Sequence, residues 1–469
     1  MSLLGVDVGS TGMKARAISL AGEVVGEAAL AYSAESRRAG QLDPEALWDA
    51  FAAVVARAAA QAAGRGDRVA ALAISTFGHG LLAVDAALRP LSGVLLGIRQ
   101  RLSDRFASLH SLVPPAERFA ATGQPHSHLA TVNKVLWLRE REPDAWRRTA
   151  LLLGPGEFLQ CRLGARPAMS PAHAAHFGVF DSARGAWWEA ACARLELDPA
   201  QWPEVVPAGE ALGRVSAAAA AELGLDDEVV VVNGEFDQIC ALLGAGAGGA
   251  TEALVNFGTV ASLSVPIPPG ARRHEAVVDR YSIYAVPGLG DVAMAWHLGS
   301  GGSLEWLRDQ ALQGAAAVDA PPVAERVAAA LARPGRGLLF LPYFNGAGNP
   351  HMVPGLRGGV FGLDPSVEWL DLLRAALESG ALELSLMLEP LRRAGAQPEA
   401  VLASGGGSRS PEWMQLCASA LGIEVAPLAD AETGSIGAAM LAGMGAGLLT
   451  AGEARRLAPG RKRALAPDA

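Results

Sequence analysis

Two stretches of the 469-residue chain share one design. The opening "LLGVDVGSTGMKARAISLAGEVVGEAAL" alternates apolar and polar residues between two glycine turns, which predicts a three-stranded meander. Much later, "EALVNFGTVASLSV" repeats the pattern of strand, Gly-Thr turn and strand. Two such hairpins so far apart predict two lobes built on one plan. The length agrees, because 469 residues exceed what one hydrophobic core usually serves. A content of 51% hydrophobic and 19% charged residues fits packed lobes and argues against disorder.

Between the hairpins the pattern changes period. Apolar spacing turns helical from Asp43 to Ala63, and "RVAALAISTFGHG" then runs a buried strand into a glycine-bounded turn that carries His79. Residues 128 to 160 read as helical with a break at Pro143, and a loop-rich, Trp-containing region follows to about Gly213. "VVVVNGEFD" enters a further strand. Later, "EWLDLLRAALESGALELSLMLEPLRRAG" predicts a long helix, and "AVLASGGGSRSPEWMQLCASALGIEVAPL" predicts strand, glycine turn, helix and strand. A final helix is expected from about Ser435, and the tail after about Arg456 is expected to be loose. The lobe boundary is expected near 240 to 250, giving an N-terminal lobe of 1–243 and a C-terminal lobe of 244–469.

Charge and composition exclude several functions. The net charge of -9 carries no concentrated basic stripe, so a small molecule rather than nucleic acid is the expected partner. Cysteines 161, 192, 240 and 417 form no CxxC pair, which fits structural thiols in the cytoplasm. A strand pattern by Leu3 leaves no room for a signal peptide, and the apolar stretch Ile436–Gly452 falls short of the ~20 residues that span a bilayer. It reads as a buried helix, and no membrane association is expected. With lysine only at 14, 134 and 462, no Gly-Lys-Ser/Thr loop exists, which excludes a P-loop NTPase.

The remaining motifs each carry two readings. In "DVGSTG", residues 7 to 12, glycines and hydroxyls let backbone N–H groups converge on an anion, with Ser10 and Thr11 as added donors; an ordinary hairpin turn reads equally well. Asp7, at the strand end, has the chemistry to hold Mg²⁺ through water. "GAGAGG" at 244–249 matches a dinucleotide fingerprint only in letters, because it precedes a strand; close backbone packing between lobes is the better expectation. "NFGTVAS" puts Gly258 and Thr259 on the second hairpin turn. "ASGGGSRSPEW" is either a place where a flat ring meets bare backbone or a tight turn with Ser408 or Ser410 as helix cap. "HSH" at 126–128 and "HAAH" at 173–176 lack metal-site spacing, so ligation by histidine is set aside. Asp237, which follows the strand "VVVVNGEF", is either a helix cap or a chemical group.

Taken in order, these motifs resemble the FGGY carbohydrate kinases of the actin-like ATPase superfamily, over almost the whole chain. "GVDVGSTGMKA" and "NFGTVAS" are similar to the two phosphate motifs, "ISTFGHGLLAVDAALRPL" to the sugar-lobe segment, and "NGEFDQICALLGAG" to the segment with the catalytic aspartate. "GGSLEWLRD" and "FLPYFNGAGNP" resemble stretches near the nucleotide, and "ASGGGSRSPEWMQLCASALG" the adenosine motif. The resemblance implies an α/β fold of two actin-like (ribonuclease H-like) lobes, with ATP and Mg²⁺ in the cleft between them. The N-terminal lobe would bind the sugar, and the C-terminal lobe ATP.

It further implies Asp237 as the general base, with Asp7 and Asp237 at the metal. Gly78, His79 and Gln238 would lie beside the sugar, with Ser10, Thr11, Gly258, Thr259, Gly301, Gly405 and Gly406 at the nucleotide. One departure is "GIRQR", where Arg99 stands in the place of an acid common in the family; an arginine there would favour an acidic sugar, or else turn to solvent. The implied activity is ATP-dependent phosphorylation of a sugar, polyol or sugar acid, a ketopentose such as xylulose foremost, by a homodimer. The alternative is a non-catalytic, nucleotide-responsive actin-like module that binds a sugar or a protein. An α/β dehydrogenase would need the glycine fingerprint in a strand-to-helix context, which is absent from the sequence.

Overall fold

The computed structural model describes residues 1–468 except 34, 39, 97–110, 128, 259, 312–322, 345 and 354. The chain divides into two compact units, Met1–Gly246 with Thr433–Ala458, and Ala247–Glu432 with Pro459–Ala469.

The first unit is built on a six-stranded sheet in the order Ala211–Arg214, Val230–Phe236, Val69–Thr76, Ser2–Val8, Gly12–Ser19, Val24–Ala31. The opening meander therefore forms as expected. Strands Ser2–Val8, Val69–Thr76 and Val230–Phe236 run parallel, and the outer strands antiparallel. Side-chain alternation with period two sorts this sheet into two faces. Leu4, Val6, Val8, Leu72 and Ile74 join a core with Phe51, Val54 and Val55 of the helix Pro44–Gly64. Asp43 caps that helix by accepting from the Glu45 N–H at 3.0 Å, which fixes where the helical period begins. Leu3, Ala71 and Ala73 face the other way, onto Ile436, Ala439 and Met440 of the helix Thr433–Gly445.

That helix overturns a single cut at 243. Glycines bring its backbone against the sheet and against the helix Asp237–Gly244: a Cβ on Gly437 would sit 1.9 Å from the Cys240 carbonyl oxygen, and one on Gly5 1.8 Å from that of Ser435. Gly244, the first residue of the "GAGAGG" run, packs likewise, 2.0 Å from the Thr433 oxygen by the same measure. Close packing there is real, but it lies inside the first unit.

Residues 128–160 are less helical than their pattern predicts. Helices Thr131–Arg141 and Pro143–Arg148 meet at Pro143, and the strand Leu151–Leu153 then pairs with Leu82–Val84. Three residues are too few for a period to show. The Trp-rich region packs on these elements, with Trp187 and Trp202 stacked at 5.2 Å and Phe177 edge-on to both.

The second unit repeats the plan. Its sheet runs Ser282–Val286, Gly290–His297, Ala261–Pro266, Glu252–Phe257, Ala400–Gly405, Glu424–Pro427. The strand Glu252–Phe257, like Ser2–Val8, pairs antiparallel with its hairpin partner and parallel with a strand that arrives much later. The long helix Trp369–Arg393 begins at a capping box of Glu368 and Asp371. The tail is not loose. The Lys462 N–H donates to the Pro427 oxygen at 2.8 Å, Leu465 pairs with Val425, and Arg461 reaches Glu252 at 2.6 Å. An open sheet edge beside Glu424–Pro427 supplies the partners that composition cannot reveal. All four cysteines are free thiols, and no described helix is long and apolar enough to cross a membrane.

Candidate active site

In the first unit the polar residues collect at the carboxyl ends of the three parallel strands, where open α/β sheets place ligands. Asp7, Ser75 and Glu235 stand in one register row, and Val8, Thr76 and Phe236 in the next. Ser75 Oγ–H donates to Asp7 Oδ1 at 2.7 Å and orients that carboxylate. A Cβ on Gly434 would lie 2.9 Å from Asp7 Oδ2, so glycine at the start of the helix Thr433–Gly445 makes room for it.

Register shifts between Val232 and Glu235, at the Asn233-Gly234 pair that interrupts the apolar run. Gly234 presses onto Ile74, where a Cβ would stand 1.7 Å from the carbonyl oxygen, and the buried Asn233 amide donates to Val206 and Pro207 carbonyls at 3.0 and 3.2 Å. Such a bulge re-aims the residues that follow it. The next helix begins at Asp237 with Phe236 in the cap position, so Asp237 is not the cap. Asp237 is half-buried, and its Oδ1 is buried with no hydrogen-bond partner among the described residues. Burial first, and the Asp7 charge second, push its carboxyl up to about 7; hydrogen bonds from Gln238 and the His173 charge pull the other way.

The turn after Val69–Thr76 carries Gly78 and His79. The His79 ring meets His176 edge-on at 4.5 Å, and His176 meets Phe236 at 4.3 Å. The "HAAH" histidines thus lie at the candidate site. His173 Nδ1 lies 2.8 Å from Glu157 Oε1, both side chains buried; burial lowers the imidazole pKa, but Glu157, Glu235 and Asp237 together outweigh it and the net direction is up. Ser170 caps the short helix Pro171–Ala175 and donates its hydroxyl to Glu235, whose carboxyl burial pushes up to about 7. Lys134 is fully buried, with its Nζ donating to the Leu129 carbonyl at 3.2 Å.

Sequence reasoning missed Ser75, Glu157, Ser170, His173, His176, Glu235 and Gly434. The HAAH spacing was a usable signal for two of them. The rest are joined by contacts between distant segments.

Ser10 and Thr11 are exposed on the first hairpin turn, where the Gly9 N–H donates to the Gly12 carbonyl at 2.9 Å. In the second unit the predicted nucleotide residues converge. The Gly301 N–H donates to the Gly258 carbonyl at 3.2 Å, and Gly405 pairs in register with Phe257, the residue before Gly258. Gly405 has φ +81°, and a Cβ there would stand 2.5 Å from the Phe257 carbonyl oxygen, while Gly406 has open space. Ser410 caps the following helix by accepting from the Trp413 N–H at 3.3 Å, so the glycine run is a tight strand-to-helix turn with exposed backbone at its tip. Thr259 and Arg99 lie outside the described residues. Among the described residues no three His, Cys, Asp or Glu side chains gather as a metal cage.

Solved structures share this architecture. The crystal structure of xylulose kinase from Rhodospirillum rubrum superposes with a TM-score of 0.87 at 27% identity, covering 100% of this chain and 94% of that one. The fold is that of two-lobed α/β sugar kinases. Residues 2–244 match the N-terminal domain of the FGGY family of carbohydrate kinases, and residues 290–446 match its C-terminal domain. The chain belongs to the FGGY family and is a carbohydrate kinase with ATP as phosphoryl donor. The xylulose kinase of Escherichia coli (strain K12) is 28% identical over 447 residues, 94% of this chain and 89% of the relative. The gluconokinase of Bacillus subtilis (strain 168) is 25% identical over 458 residues, 94% of this chain and 86% of the relative. These relatives are named as kinases, and none supports the non-catalytic module.

Proposed function

We propose that the enzyme transfers the γ-phosphoryl group of ATP to a hydroxyl of a ketopentose, with xylulose as the foremost acceptor, and that Asp237 is the general base. The observation that carries this is the Asp237 carboxylate: it follows the end of a parallel strand, is aimed by a bulge, has one buried oxygen with no partner among the described residues and is pushed up to a pKa of about 7. A base poised near the working pH accepts the hydroxyl proton efficiently. Phosphoryl transfer otherwise asks for positioning and charge neutralisation, with no covalent intermediate on the protein.

Asp7 and Asp237 would hold Mg²⁺. Two neighbouring carboxylates, one oriented by Ser75 and one with an oxygen that has no partner among the described residues, fit a hard cation that prefers oxygen donors. When bound, the ion supplies neutralisation of phosphate charge. Gly78, His79 and Gln238 would orient the acceptor. Ser10, Thr11, Gly258, Thr259, Gly301, Gly405 and Gly406 would line the nucleotide, with the sugar held by the N-terminal unit and ATP mainly by the other. Arg99 extends the proposal to acidic sugars: loss of turnover on aldonic acids in Arg99→Ala would support that extension, and unchanged kinetics on the best substrate would remove it. A homodimer is proposed on family likeness, and light scattering at the mass of one chain would overturn it.

The decisive experiment measures ADP release with ATP and Mg²⁺ across ketoses, alditols and aldonic acids, with Asp237→Asn alongside. The expected result is sugar-dependent release that Asp237→Asn lowers by at least ~10²-fold while nucleotide binding persists. Sugar-dependent release undiminished in Asp237→Asn would sink the assignment of the base, and release with aldonic acids alone would replace the ketopentose.

A further inference from the structure

His176 touches two parts of the site that the chain delivers separately. Its ring is edge-on to His79 at 4.5 Å and to Phe236, the residue before Asp237, at 4.3 Å. The third side of the ring is closed by Gly78, where a Cβ would fall 2.5 Å from His176 Nε2 and 2.7 Å from Cδ2 and Cε1. Gly78 is not among the glycines with positive φ, so its backbone conformation does not demand glycine. What demands it is room for the imidazole. The base of the residue is tied down as well, since the Thr131 N–H donates to the His176 carbonyl at 2.9 Å and His176 itself is 4% exposed.

We infer that His176 is a positioning residue for phosphoryl transfer, its ring a wedge that sets the spacing between the acceptor turn at His79 and the strand end that carries Asp237. This rests on the proposed reading of His79 as an acceptor contact and Asp237 as the base. A misplacement of about 1 Å between reacting groups can cost ~10²-fold in rate, so a wedge packed between them matters although it touches no reacting atom. Burial foremost, then the charges of His79, His173 and Lys134, holds the His176 imidazole well below its ordinary range. The wedge acts through the room its ring takes up between Gly78, His79 and Phe236.

Shape can be tested by size exchange. Kinetics with D-xylulose and ATP, and thermal melts, are measured for His176→Ala, His176→Phe, Gly78→Ala and the double variant Gly78→Ala/His176→Ala. His176→Ala is expected to lose ~10²-fold in kcat/KM for the sugar with KM for ATP within about twofold, and Gly78→Ala to do the same by displacing the ring. His176→Phe is expected to stay within about tenfold of wild type. The double variant is expected to recover at least about fivefold over Gly78→Ala, and to melt higher, because the new methyl then occupies room the imidazole has left.

Wild-type kinetics in His176→Ala, a His176→Phe as deficient as His176→Ala, or a double variant no better than Gly78→Ala would each overturn the inference. A wild-type enzyme inactive on D-xylulose and on every other sugar of the panel overturns the functional reading and the positioning role with it. Activity on D-xylulose with no recovery in the double variant overturns the wedge alone.

Discussion

At the residue scale, two groups whose pKa is shifted by burial lead to different kinds of test. As the proposed base, Asp237 would act only when deprotonated, and burial pushes its carboxyl up to about 7. The rate constant kcat/KM should therefore fall as pH drops through 7, reaching roughly a tenth of its plateau near pH 6. A pH profile flat down to pH 5 would exclude a base that titrates near 7. Lys134 concerns stability instead. Burial lowers its pKa to about 7, whereas an unfolded lysine titrates at about 10.4. Between these values the unfolded chain binds the extra proton, so this residue makes the fold more stable as pH rises from 7 to 10. Lys134→Met removes that slope. Relative to wild type it should gain roughly 3 kcal/mol more at pH 7 than at pH 10, read from denaturant midpoints at both values. Asp237 was legible in the sequence, because an acid after an apolar run that ends in Asn-Gly is conspicuous. Glu157 and His173 were not, since their 2.8 Å contact joins a helix after one short strand to a helix after another.

At the element scale, glycine decides which helices can touch. Gly437 and Gly244 let the helices Thr433–Gly445 and Asp237–Gly244 meet backbone to backbone, since a methyl on either would fall 1.9 or 2.0 Å from a carbonyl oxygen of the other helix. Gly437→Ala is expected to cost about 2 kcal/mol or more, seen as a lower melting temperature. Gly64, at the end of the helix Pro44–Gly64, has nothing within 4 Å of such a methyl, so Gly64→Ala should be neutral or stabilising by up to about 1 kcal/mol. Gly437→Ala no more destabilising than Gly64→Ala would show that the close approach at Gly437 does not decide the outcome. Strands with alternating or continuous apolar runs, such as Gly12–Ser19 and Val230–Phe236, declare themselves through side-chain period. Short pairings such as Leu82–Val84 with Leu151–Leu153 do not, because their partners alone make them strands.

At the scale of the whole molecule, the helix Thr433–Gly445 near the end of the chain belongs with the first strand. Leu3, Ala71, Ala73 and Val232 share a core with Ile436, Ala439 and Met440. A chain ended after Glu432 would leave that sheet face bare. It is expected to be trypsin-sensitive or insoluble, whereas a protease-resistant product of that length would mean the N-terminal unit folds without its covering helix. The sequence by itself determined the two α/β units, the order of their motifs, the family and the aspartate at the strand end, because period, glycine turns and motif spacing are properties of adjacent residues. Only the tertiary structure decided that Thr433–Ala458 returns to the first unit, that the tail pairs with a sheet edge, and that His176 lies against Gly78, His79 and Phe236. Those outcomes depend on which distant surfaces leave room for one another, and room is set by packing in three dimensions.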